Sequence, residues 1–282
     1  MKAIISCCQT IPIDNKEINL KKAIRVIRQE AKKGSDIVVL PEMFICPYCH
    51  ASFIKYAEPD NGSTISTLAA LAKELKIYIF AGSIPEIENH HIYNTCFVFN
   101  RKGEIIGRHR KMHLFDVSIQ NGISFKESSV FSAGQSLTVV DTEFGPIGVA
   151  ICFDIRFVEP FRLMVDRGAN LIIIPAAFNM TTGPLHWELA IRSRAVDNQC
   201  FIVACSSGRD THAKYCAWGH SSIVNPWGQI VGDLNEKEGT LQSTIDFDEV
   251  TKVRYELPIL SSRRNDIYTI NETGGKHFEY TD

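Results

Sequence analysis

Short apolar runs, rich in β-branched residues, constrain the fold of this chain more than any other feature. They lie at residues 37–40, 77–80, 147–151 and 171–174. Such runs are typical of strands that are covered on both faces. Segments with helical periodicity separate them, at residues 15–33, 63–76, 158–167 and 184–197. Buried strands alternating with helices, with a hairpin signal at residues 100–103, predict a layered α/β fold with mixed sheets.

Two of these runs belong to segments that resemble each other. Residues 31–44 read as a helix end, a glycine, a small polar residue, a strand, a proline and a bend, and residues 166–178 repeat that order. The repeat predicts two related α-β halves that meet at a common sheet edge. No linker rich in Gly, Ser or Pro separates the halves, so we expect one domain over residues 1–282. Within it, residues 257–282 are expected to form an extended C-terminal tail.

Composition and charge exclude several classes of protein. The formal net charge is -2, so the chain lacks the basic footprint of a protein that binds nucleic acid or an anionic membrane. No apolar run reaches the length of a membrane span, and residues 1–9 lack a signal-peptide pattern. We therefore expect a cytoplasmic protein, whose nine cysteines are reduced thiols.

A C-x-x-C-H motif at residues 46–50 has the spacing of a haem attachment site or of half a zinc site. Haem attachment belongs to exported proteins, and a zinc site needs a second pair of ligands at similar spacing. The sequence provides neither an export signal nor such a pair, so we predict no metal. Tyr48, inside the motif, is instead predicted to line a substrate pocket.

Cys152 is the first candidate for a reactive residue. It follows the apolar run at residues 147–151 and precedes a charged stretch and a helical pattern. A cysteine at such a strand-to-helix turn can project its sulfur into an open site, beside free backbone N–H groups that stabilise a thiolate or an oxyanion. The alternative is a buried structural cysteine.

Glu42 and Lys111 are the candidate partners of Cys152. Glu42 ends an apolar strand, and a carboxyl group pressed into apolar surroundings has the raised pKa that suits a general base. The alternative for Glu42 is an ion pair with a buried Arg or Lys. Lys111, in the basic run at residues 108–113, could stabilise an oxyanion, or could belong to a solvated loop. Residues 110–135 lack clear periodicity, and a segment of that length is usually functional or disordered.

Arg156 lies four residues beyond Cys152 and can reach the same site. A guanidinium group there suits a substrate carboxylate, because its planar donors match the two oxygens. The alternative is a salt bridge to Asp154 or to another nearby acid. Phe178, Thr181 and Thr182 follow the buried strand at residues 171–174, and their loop could offer backbone N–H groups and the Thr182 hydroxyl to an anion.

Three segments together resemble the nitrilase superfamily of carbon–nitrogen hydrolases. They are residues 40–42 (LPE), 110–116 (RKMHLFD) and 151–157 (ICFDIRF). A closer similarity, to the ω-amidase branch, is carried by residues 177–189, 192–199, 217–221 and 224–228. The chain departs from the family's pattern at Phe153, where tyrosine is frequent, and in the loop at residues 46–49.

The resemblance implies a four-layer α-β-β-α sandwich of the nitrilase type with mixed sheets. It also implies a dimer in which the sandwich is extended. It also implies a cofactor-independent amidase with a catalytic triad of Glu42, Lys111 and Cys152, and with Glu127 as a second glutamate that helps position water. The backbone N–H of Phe153 would share the oxyanion with Lys111. The implied substrates are the small amides α-ketoglutaramate and α-ketosuccinamate, whose far carboxylate would bind near Arg156 and the loop after residue 177.

Two kinds of alternative stay open from the sequence. Another amidase, a nitrilase or a carbamoylase of the same superfamily would use the same triad on a different small substrate. A non-catalytic binding or redox protein would use the many thiols instead, although an intact triad argues against it.

Overall fold

Two six-stranded sheets face each other in the computed structural model, which describes residues 1–273. The helices are Lys16–Lys32 (α1), His50–Tyr56 (α2), Ser63–Leu75 (α3), Val158–Asp166 (α4), Gly183–Asn198 (α5) and Asp248–Glu256 (α6). The strands are Lys2–Gln9 (β1), Ile37–Val39 (β2), Tyr78–Glu88 (β3), His91–Phe99 (β4), Ile105–Arg110 (β5), Asp116–Ser118 (β6), Ser124–Lys126 (β7), Thr138–Thr142 (β8), Gly145–Val149 (β9), Leu171–Ala176 (β10), Phe201–Ser206 (β11), Ser222–Val224 (β12), Ile230–Asp233 (β13) and Gly239–Asp246 (β14).

Each sheet has three parallel strands at its centre and antiparallel strands outside them. The first sheet has the order β14-β1-β2-β3-β4-β5, and the second β13-β12-β11-β10-β9-β8. β1, β2 and β3 are parallel, as are β9, β10 and β11. β2 and β10, which carry the repeated sequence pattern, therefore occupy equivalent central places. The two halves form separate sheets, however, rather than parts of one.

Alternating side chains of the first sheet divide the apolar core. On β1, Ile5 and Cys7 belong to the cluster that also contains residues of the second sheet and of α4 and α5, whereas Cys8 belongs to the cluster with α1 and α3. This division follows from the two-residue period of a strand, whose successive side chains point to opposite faces. The predicted α-β-β-α sandwich with mixed sheets is confirmed.

Two parts of the fold lie where the sequence showed no regular element. α2 follows Cys49, whose extended backbone caps it. Within the segment predicted to lack regular structure, β6 and β7 form a two-stranded ribbon, and a 3₁₀ turn follows at Glu127–Ser129.

The chain after α6 has neither helix nor strand as far as residue 273. Ion pairs join it to the second half of the sandwich: Arg263 to Asp166 and Glu272 to Arg167. The remainder of the predicted tail, residues 274–282, lies outside the described residues. Among the described residues, no helix is long and apolar enough to cross a membrane.

All nine thiols are free. In residues 1–273, no group of three or more His, Cys, Asp or Glu side chains is placed to hold a metal ion. The C-x-x-C-H segment instead leads into α2 and fixes Tyr48 in a buried position.

Candidate active site

The predicted catalytic residues come together at one end of the sandwich because each follows a strand. Glu42 comes after β2, Lys111 directly after β5, and Cys152 after β9. The carboxyl ends of parallel strands are where open α/β sheets place their ligand sites. One hydrogen bond between the halves, from Ser207 Oγ to the backbone oxygen of Glu42 (3.3 Å), ties the two sets of loops together at this end.

Cys152 begins a 3₁₀ turn, Cys152–Arg156, that follows the end of β9. Its φ is 45°, in the left-handed region that non-glycine residues rarely occupy. Residues held in this region cluster at functional sites, where the surrounding structure supports the strain. The side chain is buried but lines a pocket, so the thiol lies at the wall of a cavity.

Lys111 connects two buried glutamates. Its Nζ lies 2.9 Å from Glu42 Oε1 and 2.9 Å from Glu127 Oε2, and all three side chains are fully buried. The reading of Lys111 as part of a solvated loop is therefore wrong. Glu42 forms an ion pair with a buried lysine, which was the alternative to a catalytic role. Glu42 also lies beside the Cys152 thiol, which lowers the pKa of its carboxyl group as a hydrogen-bond donor.

Burial and the neighbouring charges set the protonation of this cluster. Burial raises the pKa of Glu42, Lys111 opposes that rise, and the charge of Glu127 adds to it. Burial also raises the pKa of the Cys152 thiol well above its usual range. Burial alone would lower the pKa of Lys111, but the carboxylates of Glu127 and Glu42 raise it overall. Lys111 is thus a fixed cation, while Cys152 and Glu42 are neighbours between which a proton can move.

The two glutamates differ in how their oxygens are occupied. Glu127 accepts hydrogen bonds on both: Oε1 from Tyr48 (2.5 Å) and Lys111 (3.0 Å), and Oε2 from the backbone N–H of Phe115 (2.6 Å). Glu42 Oε1 accepts from Lys111, while Oε2 is buried without a hydrogen-bond partner among the described residues. Glu127 therefore orients Lys111, whereas Glu42 keeps one oxygen free to take a proton. The water-positioning role of Glu127 stays a prediction.

Four of the predicted substrate-binding residues line a small pocket beside Cys152: Phe153, Arg156, Phe178 and Thr182. The Arg156 guanidinium stands over the rings of Phe153 (5.6 Å) and Phe178 (5.1 Å) and donates to His186 Nδ1 at 3.1 Å. No carboxylate of residues 1–273 forms a salt bridge with it, and the hydroxyl of Thr182 is buried without a partner. The pocket thus presents a cation and a free hydroxyl to a ligand.

Tyr48 and Thr181 lie elsewhere. Tyr48 lines a neighbouring cavity that Glu42 also lines, and its hydroxyl touches Glu42, Glu127 and Lys111. Thr181 lines neither cavity, and the backbone N–H groups of Thr181 and Thr182 are both taken by Asn179 Oδ1. The loop therefore offers the Thr182 hydroxyl rather than backbone donors. The contact of Thr181 with substrate stays a prediction.

Asp154 appeared in the sequence analysis only as an alternative partner of Arg156, and that alternative is wrong. Its carboxylate accepts hydrogen bonds from the backbone N–H of Ile151 (2.9 Å), from His109 Nε2 (3.2 Å) and from His113 Nδ1 (2.7 Å). Burial opposes ionisation of Asp154, but the two histidines hold its pKa well below its usual range. Asp154 thus fastens the turn of Cys152 to the segment that carries Lys111.

Asn94 was missed entirely. Its side-chain amide donates to Glu42 Oε1 at 2.8 Å, and its backbone oxygen accepts from the N–H of Lys111 at 2.8 Å. The position of Asn94 opposite Lys111 follows from the pairing of β4 with β5. Only the strand register could have indicated this role, because nothing in the local sequence distinguishes Asn94.

A sequence model of the carbon-nitrogen hydrolase family matches residues 4–255. The chain belongs to this family. It is 47% identical, over 92% of its length and 79% of the relative's, to a protein of Dictyostelium discoideum named nitrilase homolog 2. It is 44% identical to the omega-amidase NIT2 of Mus musculus, over 90% of this chain and 92% of that one.

The fold comparison agrees with the sequence comparison. The crystal structure of Saccharomyces cerevisiae Nit3, described as a member of branch 10 of the nitrilase superfamily, matches with a TM-score of 0.86 and 38% identity. The match covers 93% of this chain and 97% of that one. The predicted membership of the nitrilase superfamily is therefore confirmed, and this carbon–nitrogen hydrolase is an enzyme that acts on amides.

Proposed function

We propose that this carbon–nitrogen hydrolase is an ω-amidase, which hydrolyses the terminal amide of dicarboxylic acid monoamides such as α-ketoglutaramate and α-ketosuccinamate. The observation that carries the proposal is the half-buried Arg156, which stands beside Cys152 without a carboxylate partner among the described residues. A cation in such a place costs free energy unless a ligand provides the opposite charge. Relatives named omega-amidase, 43–44% identical to this chain, support the same assignment.

In the acylation half of the proposed reaction, Glu42 accepts the Cys152 proton as sulfur attacks the amide carbon. The raised pKa of the thiol means that the proton leaves during the attack rather than beforehand. Lys111 and the backbone N–H of Phe153 stabilise the negative oxygen of the tetrahedral intermediate. Glu42 then gives its proton to the departing nitrogen, the carbon–nitrogen bond breaks, and ammonia leaves a thioester on Cys152.

In the deacylation half, a water molecule attacks the thioester carbon and Glu42 accepts its proton. The carbon–sulfur bond breaks, the acid is released, and the proton returns to Cys152. Glu42 thus serves as base and acid in both halves, which is efficient only if its pKa lies near the working pH. Burial, which raises the pKa of Glu42, favours that condition.

Replacement of the triad residues tests the proposed chemistry. Cys152→Ala should abolish turnover and leave the fold intact. Glu42→Gln, which is nearly isosteric but cannot carry a proton, should cost more than the roughly 10²–10⁴-fold typical of one acid–base group, because Glu42 serves both halves. A near-normal rate for Cys152→Ala would refute the triad, and a loss below about tenfold for Glu42→Gln would refute the dual role.

The substrate class is tested by comparing succinamate or α-ketoglutaramate with uncharged butyramide. A charge-assisted hydrogen bond contributes about 1.5–3 kcal/mol, so the wild type should prefer the carboxylate substrate by roughly 10²-fold in kcat/KM. Arg156→Ala should remove most of that preference and harm butyramide far less. Arg192→Ala, on the exposed face of α5, is the matched control and should keep the preference. If the wild type shows no preference, or Arg156→Ala retains it, the ω-amidase assignment is wrong.

A further inference from the structure

Two cavities meet beside the nucleophile, and a single residue separates them. The larger, about 370 Å³, is lined by Glu42, Tyr48 and the loop at residues 207–217. The smaller, about 10 Å³, is the pocket of Cys152 and Arg156. Among the described residues, only Tyr215 belongs to both linings. Its side chain is therefore the wall between the large cavity and the reactive sulfur.

The closed pocket is too small for a substrate. A volume of about 10 Å³ has room for at most about one water molecule, whereas typical small-molecule sites measure about 300–1,000 Å³. The larger cavity falls within that range but does not include Cys152. A dicarboxylic monoamide can thus reach the sulfur only if the wall between the two cavities moves.

The contacts of Tyr215 are those of a side chain that can move. Its hydroxyl donates to the backbone oxygen of Ala177 at 2.6 Å, and its ring stacks on Tyr48 with centroids 4.4 Å apart. Tyr215 is half-buried as a residue, and the chain between β11 and β12 that carries it has no helix or strand. One neutral hydrogen bond, the stacking on Tyr48 and an edge contact with Phe125 hold the ring, and each of these contacts contributes only about 0.5–1.5 kcal/mol.

We propose that Tyr215 is a gate and a specificity-determining residue of the amidase. Substrate enters the larger cavity, Tyr215 leaves the Ala177 oxygen and joins the two cavities into one site that holds the amide, and the ring returns to Ala177 after the product has left. Burial raises the pKa of the Cys152 thiol and the nearby backbone of Ala177 lowers it, so the residue that Tyr215 bonds also influences the nucleophile. The inference rests on the proposed function for the identity of the substrate that passes the gate.

The test measures access to the sulfur without any amide substrate. Full-length protein is treated with iodoacetamide, which is small, or with fluorescein maleimide, which is bulky, and the rate of labelling at Cys152 is followed by peptide mass spectrometry. Tyr215→Ala should raise the rate with the bulky reagent by at least about tenfold, and with iodoacetamide by a smaller factor, because neither reagent fits the closed pocket of about 10 Å³. Tyr215→Phe keeps the ring but loses the bond to Ala177, so it should give a smaller rise with the bulky reagent.

Phe125→Leu is the matched control. The ring of Phe125 contacts both Tyr48 (5.6 Å) and Tyr215 (5.7 Å) but lines neither cavity. Its labelling rates should stay near those of the wild type. The gate is refuted if Tyr215→Ala leaves the bulky reagent as slow as in the wild type, or if Phe125→Leu accelerates it equally.

The experiments can refute the gate without refuting the proposed function, and the reverse also holds. If the wild type shows no preference for carboxylate amides, the ω-amidase assignment falls, while a selective rise in bulky labelling still establishes the gate. If labelling is unchanged in both Tyr215 variants, the gate falls, and the carboxylate preference of Arg156 is unaffected. A gate that also selects substrates should let Tyr215→Ala hydrolyse N-substituted succinamates that the wild type excludes.

Discussion

Replacing Lys111 by methionine should destabilise the protein as well as inactivate it. The lysine is the only cation that bonds both buried glutamates of the described site, and methionine has a similar length without the charge. Removing one partner of a buried ion pair costs about 3–5 kcal/mol, because the remaining charge stays buried without compensation. Against a typical total stability of about 5–15 kcal/mol, such a loss is readily measured by urea or thermal unfolding.

The pH dependence of the loss gives the sharper test. Lys111 lowers the pKa of Glu42, so its removal raises that already elevated pKa further. A carboxyl group with a folded pKa above its unfolded value of about 4.3 binds a proton on folding, and it weakens the folded state as the pH rises through that interval. The deficit of Lys111→Met relative to the wild type should therefore be larger at pH 7.5 than at pH 5.5.

A second variant and a control test whether the loss of stability comes from the uncompensated charge of the buried carboxylates. Lys111→Met combined with Glu127→Gln removes one of the two carboxylates, and should recover much of the stability but none of the activity. Lys126→Met changes an exposed lysine next to Glu127 and should alter the free energy of unfolding by less than about 0.5 kcal/mol. If Lys111→Met is as stable as the wild type at pH 7.5, or its deficit is the same at both pH values, the argument from buried charge is wrong.

Three further predictions follow from other parts of the structure. Asp154→Asn should cost about 3 kcal/mol at neutral pH and lower kcat more than it raises KM. Because the folded pKa of Asp154 is depressed, its stability deficit should shrink as the pH falls below the unfolded pKa of about 3.9 and be lost as the pH passes the folded pKa; an unchanged deficit at low pH would contradict this. Gly82→Ala should destabilise the protein, since the new Cβ would lie 2.0 Å from the backbone oxygen of Pro41. Because Pro41 directly precedes Glu42, activity should fall as well. A thermal scan showing wild-type stability would exclude that clash. Light scattering should find a homodimer in solution. Leu185→Glu combined with Leu189→Glu should convert it to the 31.7 kDa monomer, since both leucines are exposed on α5. A wild type of 31.7 kDa at micromolar concentration would rule out the dimer.

The strands and helices could be predicted because their signals are local. The apolar runs before Glu42 and Cys152 identify buried strands, and each residue lies where its run ends, so both positions followed from a few neighbouring residues. The short α2 and the ribbon of β6 and β7 were missed for the converse reason. Neither is long enough to show a periodicity, and each is held by contacts with distant parts of the chain.

The amino-acid sequence by itself predicted the layered fold, a candidate nucleophile in Cys152 and, through resemblance, the proposed members of the triad. Only the tertiary structure decided how those members are arranged. Lys111 and Glu42 are 69 positions apart, so no local pattern reveals that the lysine is buried between two carboxylates rather than solvated. The histidines that hold Asp154 and the place of Tyr215 between two cavities likewise depend on strand pairing and loop packing, because a side chain's partners are set by what the fold brings near it.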